Sequence, residues 1–170
     1  QAERLAEALA ELPIKAVFAS PLERAQETAG PIARGHGLTI ETLTDLQEID
    51  YGVWQGQSLK QLKGKKLWEQ VQNHPDQVRF PNGESLAEAQ LRVAGVLTTI
   101  SEKFEEKDWI VCVAHSDVIR LAVAHFLGMP LAHLQRLRID TASVSVLYLN
   151  EGKPYFGPIN HTFDFPDFKE

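Results

Sequence analysis

The sequence predicts an α/β fold, with a mainly parallel sheet covered on both faces by helices and an antiparallel edge. Three observations predict it. Apolar runs of strand length alternate with segments of helical period through the body of the chain. Helix-start residues follow directly on the two most apolar runs. Near the carboxyl end the pattern changes to a two-residue alternation around a turn.

The elements follow in order. Gln1 to Leu12 carries Leu5, Leu9 and Leu12 on one stripe, and Pro13 closes it as a helix. Ile14 to Ala19 is a short apolar run, read as a buried strand. Ser20-Pro21-Leu22-Glu23 places an N-cap serine, a proline at the first helical position and a glutamate three residues after the cap. The helix they start runs to about Ala33, and Arg34-Gly35-His36-Gly37 ends it. Leu38 to Leu43 alternates as a strand, and Asp45 to Gly56, without a sustained period, is an ordered loop. Ser58 to Gln72 reads as a polar helix interrupted at Gly64, followed by a loop from Asn73 to Asn82.

Ser85 and Glu88 form a second capping box. The helix behind it aligns Leu86, Ala89, Val93, Val96, Ile100 and Phe104 on one face. Trp109 to Ala114 is the clearest buried strand. Asp117 to Leu127 is apolar nearly all round, which predicts a deeply packed helix capped by Gly128. Ser143 to Leu149 alternates as a strand, and Asn150-Glu151-Gly152-Lys153 predicts a hairpin into a last strand near Tyr155 to Ile159. A tail with Phe163, Phe165 and Phe168 follows. With no repeat and no linker, residues 1–170 read as a single domain.

Composition narrows the function. A chain of 170 residues that is 44% hydrophobic and 24% charged belongs to the ordinary globular class. A net charge of −6 argues against nucleic acid as a partner, because phosphate-backbone binders need a basic surface. No apolar run reaches the length of a membrane span, and no signal peptide is visible. The single cysteine, Cys112, cannot form an intramolecular disulfide, so a cytoplasmic location is the simplest expectation. His74, His125, His133 and His161 lack metal-ligand spacing, and no glycine-rich nucleotide loop is present, so neither metal nor cofactor is expected.

In sheets of this kind ligands bind outside the carboxyl ends of the strands, which directs attention to two turns. Arg24 lies in the first turn of the helix after Ile14–Ala19, where a guanidinium and a helix N-terminus together suit a phosphate. The plainer alternative is a solvated arginine paired with Glu27. His115 ends the Trp109 strand just before Ser116-Asp117 and can donate to an anion held at the same helix start. Its alternative is a structural histidine bonded to backbone. Glu84, between Gly83 and the Ser85 cap, is aimed by a sharp helix entry, and a carboxyl partly withdrawn from water could protonate a leaving group. Its alternative is a favourable interaction with the helix dipole. Lys60, Lys63, Lys65 and Lys66 could steer an anionic substrate, or form a solvated helix face.

Four segments occur in one order. They are Ser-Pro-Leu-x-Arg-Ala-x-x-Thr-Ala at 20–29, Gln-Glu-Ile-Asp-Tyr-Gly-Val-Trp-Gln-Gly at 47–56, Pro-Asn-Gly-Glu-Ser at 81–85 and Val-Ala-His-Ser-Asp-Val-Ile-Arg at 113–120. Their order and spacing resemble the histidine phosphatase superfamily, the phosphoglycerate-mutase-like proteins, over nearly all of the chain. The resemblance implies a three-layer α/β/α sandwich and a two-step reaction through a phosphohistidine. It also implies that Arg24, His115 and the backbone N–H of Ser116 bind phosphate, and that His115 and Glu84 serve catalysis, Glu84 as general acid. The substrate class is a small phosphate monoester. A phosphomonoesterase is the leading reading; phosphoglycerate mutase and a non-catalytic phospholigand-binding protein are the alternatives.

One element of the resemblance is missing. No Arg-His-Gly occurs in the chain, and His36-Gly37 follows a helix instead of a strand. The expectation is an N-terminally truncated chain without the first strand and its nucleophilic histidine, and therefore negligible turnover by these 170 residues alone.

Overall fold

A computed structural model describes residues 1–150 and 153–163. Helix α1 (Ala2–Leu9) leads into strand β1 (Ile14–Ala19), helix α2 (Glu23–Gly35) and the short strand β2 (Ile40–Thr42). Two 3₁₀ turns, Thr44–Leu46 and Gly52–Trp54, shape the loop that follows. Helices α3 (Leu59–Leu62) and α4 (Lys66–Asn73) are the two pieces of the segment in which Gly64 signals a break. Helix α5 (Leu86–Ser101), strand β3 (Trp109–Val113) and helix α6 (Ser116–Phe126) precede a hairpin of β4 (Leu147–Asn150) and β5 (Lys153–Phe156). The hairpin's tip residues, and Phe165 and Phe168 of the tail, lie outside the described residues. No described helix is long and apolar enough to cross a membrane.

The central sheet has the order β2-β1-β3 and is parallel throughout. Val17 is level with Ile40 on one side and Val111 on the other, and Ala19 with Thr42 and Val113. The strand pleat sends Val17 and Phe18 to opposite faces. Val17 packs with Leu5, Leu9 and Ile32 of α1 and α2, while Phe18 packs with Leu46 and Ile100 beside α5. Helix α6 joins α5 on this second face, burying Val118 and Leu121 against Val93 and Leu86. The result is the three-layer arrangement predicted from strand and helix alternation.

Several local expectations are corrected. The helix after Ser20 begins at Glu23 with Leu22 as its cap residue and no side-chain cap, so Ser20 is not the N-cap. The Ser20 N–H is already bonded to the Val113 carbonyl at 2.9 Å, which keeps it in the strand ladder and out of a capping box. Helix α5 stops at Ser101, short of Phe104, although the Phe104 ring still meets Phe18 edge-on at 6.2 Å. The Ser85–Glu88 box forms as predicted: Glu88 N–H donates to Ser85 Oγ at 3.2 Å, and Ser85 N–H to Glu88 Oε2 at 2.8 Å. The last strand is Lys153–Phe156, ending three residues before Ile159.

The antiparallel pair β4-β5 is present, but it is not hydrogen bonded to the parallel sheet. Strand β3 pairs with β1 alone among the described residues. Between the other edge of β3 and the Val144–Leu149 segment runs a cavity of about 990 Å³. All five residues of β3 are only partly buried for this reason.

Candidate active site

Because β1, β2 and β3 run in one direction, their carboxyl ends at Ala19, Thr42 and Val113 share one edge. The turns that leave this edge supply Arg24, Glu48 and His115, and all three line the cavity with Ser116. Their separation in sequence hides this. Parallel pairing of β2 with β1 is what brings Glu48 in.

His115 is 5% exposed. Its Nε2 lies 2.7 Å from Ser20 Oγ and its Nδ1 lies 3.9 Å from Glu48 Oε2. Burial, assisted by the nearby Arg24 charge, lowers its pKa from 6.5 to about 4, so the ring is neutral at pH 7. Arg24 keeps an exposed guanidinium, with Nη2 3.6 Å from Glu48 Oε2. An exposed guanidinium at a cavity suits an incoming anion. Ser116 opens α6, so its N–H is among the helix-start donors with no intrahelical partner, and its Oγ donates to Ile139 O at 3.2 Å.

Glu48 is a further candidate that motif reading passed over. Burial pushes its carboxyl above the usual carboxylate range, and Asp117 adds to the rise. The Ile49 N–H, which donates to Glu48 Oε1 at 3.0 Å, works against it, as do Arg24 and Arg92. The available signal was its place in the 47–56 segment, one turn beyond a strand end.

Glu84 is placed differently from the other predicted residues. It does not line the cavity that holds Arg24, Glu48 and His115. Its carboxylate takes Arg92 Nη2 at 2.6 Å, Arg92 Nε at 3.3 Å and the Asp50 N–H at 2.8 Å. Arg92 also donates to the carbonyls of Asp45 at 2.7 Å and Gln47 at 3.1 Å, in the stretch just before Glu48. The two loops interlock through glycines. A Cβ on Gly52, whose φ is +52°, would stand 2.0 Å from Pro81 O, and one on Gly83 would stand 2.2 Å from Asp50 O. Glu84 and Arg92 thus anchor the loop that presents Glu48.

Tyr51 and Asp117 border the same region. The Tyr51 hydroxyl donates to Asp117 Oδ2 at 2.6 Å, and Arg120 Nη1 meets Asp117 Oδ1 at 2.5 Å. Burial raises the Tyr51 pKa, with Asp117 second, so the phenol stays protonated. Cys112 sits in β3 on the cavity wall, its thiol pushed up to about 12 by burial.

Comparison with known proteins gives this site its family. The histidine phosphatase superfamily (branch 1) pattern matches residues 1–162, and the chain belongs to that superfamily. Phosphoserine phosphatase 1 of Hydrogenobacter thermophilus is 30% identical over 176 residues, covering 99% of this chain and 80% of the relative. Adenosylcobalamin/alpha-ribazole phosphatase of Escherichia coli is 28% identical over 157 residues, covering 89% of this chain and 75% of the relative. Among solved structures, Bacillus stearothermophilus YhfR superposes with a TM-score of 0.88 at 22% identity, over 95% of this chain and 81% of the other, a likeness of fold.

Proposed function

We propose that this chain supplies the phosphate pocket and the general acid of a phosphomonoesterase that works through a phosphohistidine. The observation that carries the reading is the convergence of Arg24, Glu48 and His115 on one strand-end edge, where they line one cavity. Arg24, the imidazole N–H of His115 and the Ser116 N–H face the oxygens of a phosphoryl group. Charge stabilisation of this kind is the main contribution a protein makes to phosphoryl transfer.

In the first step the ester P–O bond breaks as a histidine N–P bond forms. Glu48, whose pKa is raised above its ordinary value by burial, is placed to give a proton to the departing oxygen. In the second step the Glu48 carboxylate takes a proton from water, whose oxygen attacks phosphorus. The N–P bond breaks and inorganic phosphate leaves. The acid role expected for Glu84 is assigned here to Glu48, because the Glu84 carboxylate is held by Arg92 and by the Asp50 N–H, away from the cavity. Glu84 keeps a part in the site as the anchor of the Glu48 loop.

None of the six histidines of the chain combines a strand end with Arg-His-Gly, and His115 is engaged by Ser20. The nucleophile is therefore assigned to an extended segment that fills the cavity between β3 and β4, parallel to β3, and ends in Arg-His-Gly at the pocket. Strand edges of β3 and β4 facing one gap, with β3 paired to β1 alone among the described residues, support this. The test adds a synthetic apolar β-branched peptide ending in Arg-His-Gly to the 170-residue chain. Phosphate release from p-nitrophenyl phosphate is expected only with the peptide, and a peptide carrying alanine for histidine is expected to bind without turnover. Turnover by the chain alone that His115→Ala abolishes would defeat the assignment. With 3-phosphoglycerate, isomer formed without phosphate release would replace the phosphatase by a mutase.

A further inference from the structure

We propose that Ser20 is a positioning residue for His115: its hydroxyl donates to Nε2 and holds the ring as the tautomer whose single N–H is on Nδ1, the side facing Glu48 and Arg24. The inference rests on the reading of Arg24 and His115 as the phosphate pocket, and it gives that pocket a specified donor.

Proton accounting at Ser20 carries it. The residue is fully buried, so its hydroxyl proton needs an acceptor close by. A hydroxyl has one proton and two lone pairs. Leu22 N–H donates to Ser20 Oγ at 3.3 Å and takes one lone pair. The other partner of Oγ among the described residues is His115 Nε2, at 2.7 Å. No carbonyl accepts from Ser20 Oγ among the described residues; Val113 O takes the Ser20 N–H, and Ser20 O takes Gln26 Nε2 at 2.7 Å. Were Nε2 to carry the ring proton, Oγ would accept twice and its own proton would be left buried without an acceptor. Donation from Oγ to Nε2 gives the hydroxyl proton its acceptor and leaves the Nδ1 side of the ring open toward the pocket. Because the ring is neutral, the remaining N–H must then be on Nδ1.

The consequence concerns the pocket. Nδ1 is the nitrogen 3.9 Å from Glu48 Oε2, on the side that Arg24 also approaches. A phosphoryl oxygen arriving there meets an N–H in this tautomer and a lone pair in the other, attraction in one case and repulsion in the other. Ser20 is spared from helix capping, with Leu22 taking the cap position, and this leaves its hydroxyl for the histidine.

The experiment is a long-range ¹H–¹⁵N correlation on the histidine-labelled 170-residue chain at neutral pH without ligand, with His115 assigned by its loss in His115→Gln. Nδ1 protonated and Nε2 bare is the expected result; Nε2 protonated overturns the proposal, whatever the variants do. Ser20→Ala should shift the tautomer ratio toward Nε2–H by about tenfold or more and weaken inorganic phosphate binding about tenfold, with Ser20→Thr restoring both. An unchanged ratio in a folded Ser20→Ala also overturns it. The tautomer is read without phosphate, so failure here leaves the pocket reading standing. Absence of phosphate binding with Nδ1–H in place would instead remove the pocket reading alone.

Discussion

Arg24, Glu48 and His115 differ in how far water reaches them, and their predicted behaviour differs accordingly. Arg24 is the exposed member, so Arg24→Ala should leave the fold intact. In the peptide-complemented enzyme it should lower transfer about 10²–10³-fold, as loss of an oxyanion-type donor does, read from kcat/KM on p-nitrophenyl phosphate. Glu48→Gln should cost an alkyl phosphate about 10²–10⁴-fold and p-nitrophenyl phosphate much less, since a good leaving group needs little proton. Equal losses on both esters, or the same leaving-group dependence in Glu84→Gln, would return the acid role to Glu84. His115 also sets a pH dependence of folding. Its folded-state pKa of about 4 lies below the ordinary 6.5, so the unfolded chain binds more protons between those values. Stability is full above pH 6.5 and falls as pH drops toward 4. Urea denaturation across that window should show a shallower decline in His115→Gln, and parallel curves would contradict the burial of a neutral ring.

At the scale of elements, the loop at 45–52 and the turn at 80–84 hold each other through Glu84 and Arg92, whose side chains are 17% and 16% exposed. Removing one partner leaves the other charge buried, so Arg92→Met should destabilise by about 3–5 kcal/mol in chemical denaturation. The double change Arg92→Met with Glu84→Gln should recover a substantial part, because no uncompensated charge remains; no recovery would mean that the carbonyl bonds to Asp45 and Gln47 carry the effect. Helix boundaries were legible where the determinants are local. The Ser85–Glu88 box and the Gly64 break are both determined by residues within one turn. Ser20 misled because the same Ser-Pro-x-Glu pattern that specifies a cap also continues a strand, and the ladder bond to Val113 and the contact to His115 come from residues more than ninety positions away.

For the whole molecule, the cavity between β3 and β4 is the feature on which the proposed activity rests. Cys112 on its wall is a built-in reporter. A thiol held at about 12 reacts slowly, and a strand laid against β3 should slow labelling by a maleimide further. Addition of the Arg-His-Gly peptide is expected to reduce the labelling rate and raise the thermal midpoint together, by mass action of a ligand that binds only the folded chain. Peptide that activates the chain while Cys112 labels at an unchanged rate would place the nucleophile by some other route.

What the sequence determined by itself is what local pattern and motif order can carry: the alternation that makes an α/β sandwich, the family, and Arg24 and His115 at strand-end turns. Tertiary structure decided which carboxylate stands beside Arg24 and His115. Both Glu48 and Glu84 follow turn-forming residues and stand in shared motifs, so nothing near either in the chain separates them. The parallel register of β2 against β1 turns Glu48 toward His115, and Arg92, reaching from α5, takes Glu84. Partner choice completes the distinction, since the Glu84 carboxylate is taken up by Arg92 and the Asp50 N–H while Glu48 stays beside His115 and Arg24.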